Sequence, residues 1–405
     1  MSRLYNQFEF IGNLAIPEDS KFHRIIDNNN GWKVHKINFA IKESMTNSAF
    51  VELFGGYKKD ESGVVFGIDK GGNTIKIPWK NRLNEDVVDT IADFSKIIID
   101  LETDIEKRKE YLKIYFQIRN KERKDSLTKK DKEKLKELRQ EFKEKSPNRY
   151  EFITEYDAIV FLTENLKNYE NDYKFRITGN FNLEEYKGKI YRKYNPKLIE
   201  IVSNEEKNKL RARANIYFNK DSLDDVDYIE DKKIYINGYL QSRDQNVKKD
   251  RFFPQQFVID LKNLDLENEQ HLAIINLLKS HFQVSNKNYH YLQYEVSIYR
   301  GAERVEITME DLTENQKMMI NCGLAKLEEF TPRNGLLGEN VDELRIIKPV
   351  LKKINNSNDF SDGAIDTEMN EKEFEELIVE DTSNISFDDV KEQEDLDNML
   401  DDLLG

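Results

Sequence analysis

Along the first 80 residues apolar and polar positions alternate in short runs separated by polar turns. FEFIGNL (Phe8 to Leu14), GWKVHKINFAIK (Gly31 to Lys42, with Ile37, Phe39 and Ile41 on one face), AFVELFGGY, VVFGI and TIKIPW predict five strands, the last two joined as a hairpin through DKGGN. Five short strands predict a small closed or nearly closed barrel over residues 1–82. From about Leu83 the apolar spacing changes to threes and fours, as in VVDTIADFSKIIIDL, which predicts a helical region over 83–168. Within it, Ile105 to Lys145 carries 16 Lys+Arg against 9 Asp+Glu and breaks at DSLTKKD, where Ser126 or Thr128 can cap a second helix and Asp131 supplies a first-turn carboxylate. The expectation is a basic helical hairpin projecting from the body.

A second strand-rich block follows, and it opens as the first does. FRITGNF (Phe175 to Phe181) matches FEFIGNL as Phe-x-apolar-x-Gly-Asn-apolar, and KIYRKY with KLIEIV, LRARANIYF, KIYINGYL and QQFVID come after it. Glycine inside a strand marks a bulge or sharp bend. Two copies of one five-stranded barrel are therefore predicted, the second over 169–265, followed by a small α+β region of unassigned role over 266–353. The fold class expected is mainly β with helical insertions, α+β.

Charge changes this picture at the C-terminal end. The chain of 405 residues has a net charge of -14, but from Asp359 onward there are 18 Asp+Glu against two Lys. The remaining 358 residues thus carry a net charge of about +2. Residues 354–405 are predicted to be a disordered acidic tail on a near-neutral body with basic patches. No run is long and apolar enough to span a membrane, the first residues lack the apolar core of a signal peptide, and the single Cys322 allows no internal disulfide. The cytoplasm is the expected location, a host cell's cytoplasm if the chain is phage-encoded.

Catalytic and metal-binding constellations are not found. HExxH, CxxC, GxxxxGK[ST] and G-x-S-x-G are all missing, the five histidines are scattered, and the cluster Asp221, Asp224, Asp225, Asp227 lacks the glycine and glutamate of a calcium loop. No enzymatic activity, cofactor or metal is expected.

Aromatic and basic residues instead fall on strand faces opposite the apolar ones. In LRARANIYFN, Arg211, Arg213 and Tyr217 oppose Leu210, Ala212, Ala214, Ile216 and Phe218; in KIYINGYLQ, Tyr235 and Tyr239 oppose Ile234, Ile236 and Leu240; Lys174 and Arg176 oppose Phe175 and Ile177. Arg243 follows in the same stretch, and the first block offers Trp32, Lys36, Lys42, Phe50, Phe54 and Lys58. Rings that stack bases beside cations that track phosphates make a platform for single-stranded nucleic acid. The bland alternative is tyrosines covering a sheet against a neighbouring helix.

With its two Gly-Asn-marked strand openings, these faces and an acidic, leucine-punctuated end (EDLDNMLDDLLG), the chain resembles the OB-fold single-stranded DNA-binding proteins of replication and recombination, in particular the long versions made by tailed phages of low-GC Gram-positive bacteria. The resemblance implies an OB-like fold for both barrels, coating and protection of single-stranded DNA during replication, recombination or repair, and recruitment of replication or recombination proteins by the tail, which would also compete with DNA. Leu396, Met399, Leu400, Leu403 and Leu404 fall at i, i+3, i+4, i+7 and i+8, the spacing of an amphipathic helix formed on a partner. The alternative is a non-enzymatic virion structural or assembly protein.

Overall fold

The computed structural model describes residues 5–28, 31–60, 62–122, 128–244, 246–285, 287–305, 309, 312–330, 336–350 and 368–379. Its architecture is mainly β with helices between and beside the strands. The alternating N-terminal runs give β1 (Asn6–Ala15), β2 (His23–Asp27), β3 (Trp32–Lys42) and β4 (Ser48–Lys58), while β5 (Val64–Ile68) and β6 (Thr74–Pro78) form a separate two-stranded sheet about the expected turn. After β7 (Ile97–Asp100) the basic stretch folds as two antiparallel helices, Ile105–Glu122 and Lys129–Lys145. Thr128 accepts from the Asp131 amide and Asp131 reciprocates, a capping box. Ile114, Ile118, Leu135 and Leu138 zip the pair together, and Arg108 and Tyr111 anchor it to buried Asp100 and Glu200. A short β8 (Arg149–Phe152), the helix Glu155–Asn165, β9 (Lys174–Tyr186) and β10 (Lys189–Val202) follow.

The expected division at residues 82 and 169 is not how the strands pair. β1 lies antiparallel to β9 along one edge, and its other edge is shared between β3 (from Asn13) and β11 (Lys209–Phe218). One unit therefore runs β4-β3-β1-β9-β10, with β10 beside β4, and its core is Phe8, Phe10, Ile37, Phe39, Val51, Phe175, Ile177 and their neighbours. FEFIGNL and FRITGNF, expected to open two separate barrels, are adjacent strands of this one unit. Gly12 marks the point where β1 changes partners. A Cβ there would sit 2.1 Å from the Lys42 carbonyl oxygen, and one at Gly179 would sit 2.0 Å from that of Asn195, so both strands come too close to a neighbouring backbone for any side chain.

The second unit is built from later residues than expected. Beyond the two-residue β12 (Leu223–Asp224), β13 (Lys233–Asp244), β14 (Lys249–Asp260), β15 (Tyr289–Val305) and β16 (Leu336–Pro349) join β11 in a closed hydrogen-bonded circuit, β11-β13-β14-β16-β15 and back to β11. Residues 266–353, which had no assigned role, thus supply two of its five strands. The helix Glu269–Ser280 stands between the third and fourth strands, as Glu155–Asn165 does in the first unit, and the order around both units is first-second-third-fifth-fourth.

The acidic tail corrects a further expectation. Glu368–Met369 (β17) pairs with β15 opposite Tyr289 and His290, and a short helix, Glu371–Glu375, follows. The Phe252 amide then donates to the Leu377 carbonyl and the Val379 amide to the Phe252 carbonyl, both at 2.8 Å. This segment, 368–379, here called the clasp, is folded onto the second unit, because Phe374 is 0% exposed between the rings of Phe252 (3.9 Å) and Tyr289 (3.8 Å). Leu396, Met399, Leu400, Leu403 and Leu404 lie outside the described residues.

Candidate nucleic-acid interface

A groove of about 1190 Å³ runs between the two units. One wall comes from the first unit and the elements inserted in it. Trp32 at the start of β3, Phe66 on β5 and Phe94 before β7 are 39, 60 and 65% exposed, and all three line the groove together with Tyr5. Exposed rings of this size in one depression are unusual in a soluble surface. Behind them the wall is a packed aromatic and ionic cluster. Tyr57 stacks on Trp79 (5.8 Å, 13° between planes) and meets Tyr156 at 4.7 Å, while the Arg82 guanidinium covers Trp79 at 3.8 Å and is held by Asp157 at 2.9 Å. Gly55 lets this wall form, since a Cβ there would lie 2.4 Å from the Tyr156 amide nitrogen.

The other wall is cationic. Lys209, Arg211 and Arg213 of β11 and Lys348 of β16 face the groove, joined by Lys58 and Lys197 from the first unit. Glu9, Glu155 and Glu295 are the acidic residues in the lining, so cations outnumber anions six to three. Lys209 pairs with Glu9 and Arg211 with Glu295, each at 2.5 Å. Among the described residues no ion pair is seen for Arg213 or Lys58, both exposed. Flat rings and cations lining one groove can stack bases and neutralise phosphates.

Of the fourteen sequence-predicted residues, the groove collects Trp32, Lys58, Arg211 and Arg213. Lys36 is 2% exposed and paired with Glu52 at 2.9 Å, because β3 buries both faces at this point. Lys174 donates to the carbonyls of Asn204 (2.9 Å) and Glu206 (2.5 Å), and Arg176 is held by Glu9, Glu200 and Glu206. Phe50 and Phe54 are exposed on β4 outside the groove, with the Arg300 guanidinium 5.4 Å from the Phe50 ring. Lys42, Tyr235 and Arg243 also lie elsewhere, the last 3.9 Å from Asp250.

Tyr217 and Tyr239 do point away from the core, as the alternation implies, yet their face is covered. Tyr217 is 1% exposed beneath the clasp, 5.8 Å from Phe374, and Tyr239 meets that ring at 5.4 Å. The outward face of β11 thus runs from Arg211 and Arg213 in the groove to Tyr217 under the clasp. Sequence reasoning missed Phe66, Phe94, Tyr5, Lys197, Lys209 and Lys348. Phe66 was legible as an apolar residue that alternation puts on the face of the two-stranded ribbon opposite Val65, whose face is the packed one, whereas Phe94 and Lys348 carry no local signal.

A histidine pair backs the Tyr156 side of the wall. His23 Nε2 and His35 Nδ1 are 3.0 Å apart, and the His35 ring meets Tyr156 edge-on at 5.0 Å. Burial, followed by the nearby charges of His23 and Lys33, holds His35 down to about 4, and burial also lowers His23. Both imidazoles are therefore neutral at neutral pH.

No family model and no curated protein matches the chain. A solved structure of a deletion mutant of the single-stranded DNA binding protein from Thermus aquaticus is similar to it over 74% of this chain and 89% of that one, at 10% identity. Its TM-score is 0.28, too low for the likeness to bear on function. Among the described residues no helix is long and apolar enough to cross a membrane, and no group of three metal-ligating side chains occurs.

Proposed function

We propose that the protein is a sequence-independent, non-enzymatic binder of single-stranded DNA that serves replication, recombination or repair, and that its two five-strand units act as OB-like barrels. The observation that carries this reading is the groove, where Trp32, Phe66 and Phe94 stand exposed opposite Arg211, Arg213 and Lys348. Bases stacked on such rings contribute about 1 to 3 kcal/mol each whatever their identity, because every base has a flat face. Duplex DNA keeps its bases stacked inside and offers the rings nothing. Recruitment of partner proteins is assigned to the segment ending in Leu403 and Leu404, beyond the clasp.

The test is fluorescence anisotropy of labelled oligo(dT) and of a duplex of equal length at two salt concentrations. Single strands are expected to bind more tightly, with log affinity falling by about 0.7 per phosphate neutralised for each tenfold rise in salt. Equal affinity for duplex, or binding indifferent to salt, would sink the reading.

A further inference from the structure

We infer that the aromatic socket beneath the clasp is a docking site for the clasp of a second copy of this chain, so that neighbouring molecules can exchange clasps and become linked. The socket consists of Tyr217, Tyr239, Phe252, Tyr289 and Tyr291 on the outer face of the second unit. What it recognises is compact: a two-residue strand on the edge of β15, one ring slotted between two others, and two backbone hydrogen bonds to Phe252. All of these contacts are made by one contiguous segment, so a second chain's segment can reproduce every one without any new surface. That is the condition under which exchange of an identical element costs little.

The connection to the body leaves the choice of socket open. The Val350 amide donates to the Gln293 carbonyl, and Glu368 lies opposite His290, so the chain leaves and rejoins β15 three positions apart. That separation is about 10 Å along a strand. The intervening stretch, 351–367, has seventeen residues and can reach as far as about 55 Å when extended. It is several times longer than its own socket requires, and no described strand follows the clasp, so its withdrawal disturbs none. In dilute solution a tethered clasp sees its own socket at roughly millimolar effective concentration and stays at home. Copies held side by side on one strand reach comparable local concentrations; that setting rests on the proposed function, whereas the docking itself does not.

The experiment omits nucleic acid, so that its failure is distinguishable from failure of the strand-binding reading. Full-length protein carrying Phe374→Ala has an open socket and is titrated with a labelled peptide of residues 368–379. Saturable binding is expected, and the same peptide with Phe374→Ala should bind at least ~100-fold more weakly, as loss of a fully buried ring implies. Mixing Phe374→Ala protein with wild type near millimolar concentration, where another copy's socket competes with a clasp's own, should give a heterodimer by light scattering, while the variant alone stays monomeric. Should the variant misfold, wild-type protein with a protease site placed in 351–367 is cleaved, and the labelled peptide should then replace the severed clasp. The inference is overturned if the folded variant and the cleaved protein both ignore the peptide. It is equally overturned if the peptide binds but no heterodimer forms near the millimolar regime of a tethered clasp.

Discussion

Replacing Phe374 by Ala removes the ring on which the clasp depends, and the structure sets the size of the effect. Phe374 is 0% exposed and stacked on both sides, a site where truncation of Phe costs about 3 to 5 kcal/mol. The rest of the clasp holds few such contacts: Val379 is buried, while Leu377 and Ile378 are partly so. Peripheral segments of this kind open locally at energies well below the global stability of a domain, which is about 5 to about 15 kcal/mol. Subtracting about 3 kcal/mol or more from such a local energy raises the detached population of the clasp by about 100-fold or more. Hydrogen exchange read by mass spectrometry is the assay. The amides of Phe252 and Val379, which bond to clasp and body respectively at 2.8 Å, should lose protection by about 100-fold or more, since each factor of ten corresponds to about 1.4 kcal/mol. Amides of β1 and β9 should exchange as in wild type. The reasoning fails if Phe252 keeps its protection, or if the whole protein loses the full amount, about 3 to 5 kcal/mol, with no local change; in the second case the clasp unfolds only together with the body.

Trp32→Ala and Phe94→Ala should each weaken oligo(dT) binding by about 1 to 3 kcal/mol with the melting temperature nearly unchanged, whereas Tyr217→Ala should lower stability by about 3 kcal/mol and leave groove binding intact; anisotropy paired with thermal melts separates the two. Arg108→Met leaves the carboxylates of Asp100 and Glu200 short of a buried partner, at a cost of about 3 to 5 kcal/mol by urea denaturation. His35, held near 4 against an ordinary 6.5, makes folded protein refuse a proton that the unfolded chain accepts. Its contribution is therefore complete above pH 6.5 and lost as pH falls toward 4, roughly 2 to 3 kcal/mol by pH 4.5, and His35→Gln should flatten that part of the stability profile.

The local structure was legible wherever neighbours in sequence decide it. The hairpin about DKGGN, the Thr128 cap and the helical pair between the strands follow from turn chemistry and spacing. The grouping of strands into units was not legible in the same way, because β1 meets β9 and β11 from near the middle of the chain and nothing local records which edges they share. The site divides along the same line. Alternation correctly assigned Tyr217 and Tyr239 to the outer face, but whether an outer face meets water is decided by a segment far along the chain, around Phe374. Composition counted that segment's glutamates and overlooked a single Phe.

The matched motifs themselves admit a physical explanation that differs from duplication. In the antiparallel register of β1 and β9, Phe8 stands opposite Gly179 and Phe175 opposite Gly12. Each motif begins with a ring and reaches its glycine four positions later, so when two of them run antiparallel each ring comes to lie opposite the other strand's glycine. Phe8 and Phe175 are both buried there, filling with aromatic surface the space that a missing side chain would leave, as rings do across strands from glycine. The glycines are needed because each sits against a backbone carbonyl on its far side. Phe-x-apolar-x-Gly is therefore self-complementary, and the likeness of the two stretches is accounted for by their being partners. The repetition the sequence hinted at exists one level higher, in the shared order of strands and the helix between the third and fourth. At that level the two units need no motif in common, since each arrangement asks only for alternation, a helix to close one end and a bend in the right place.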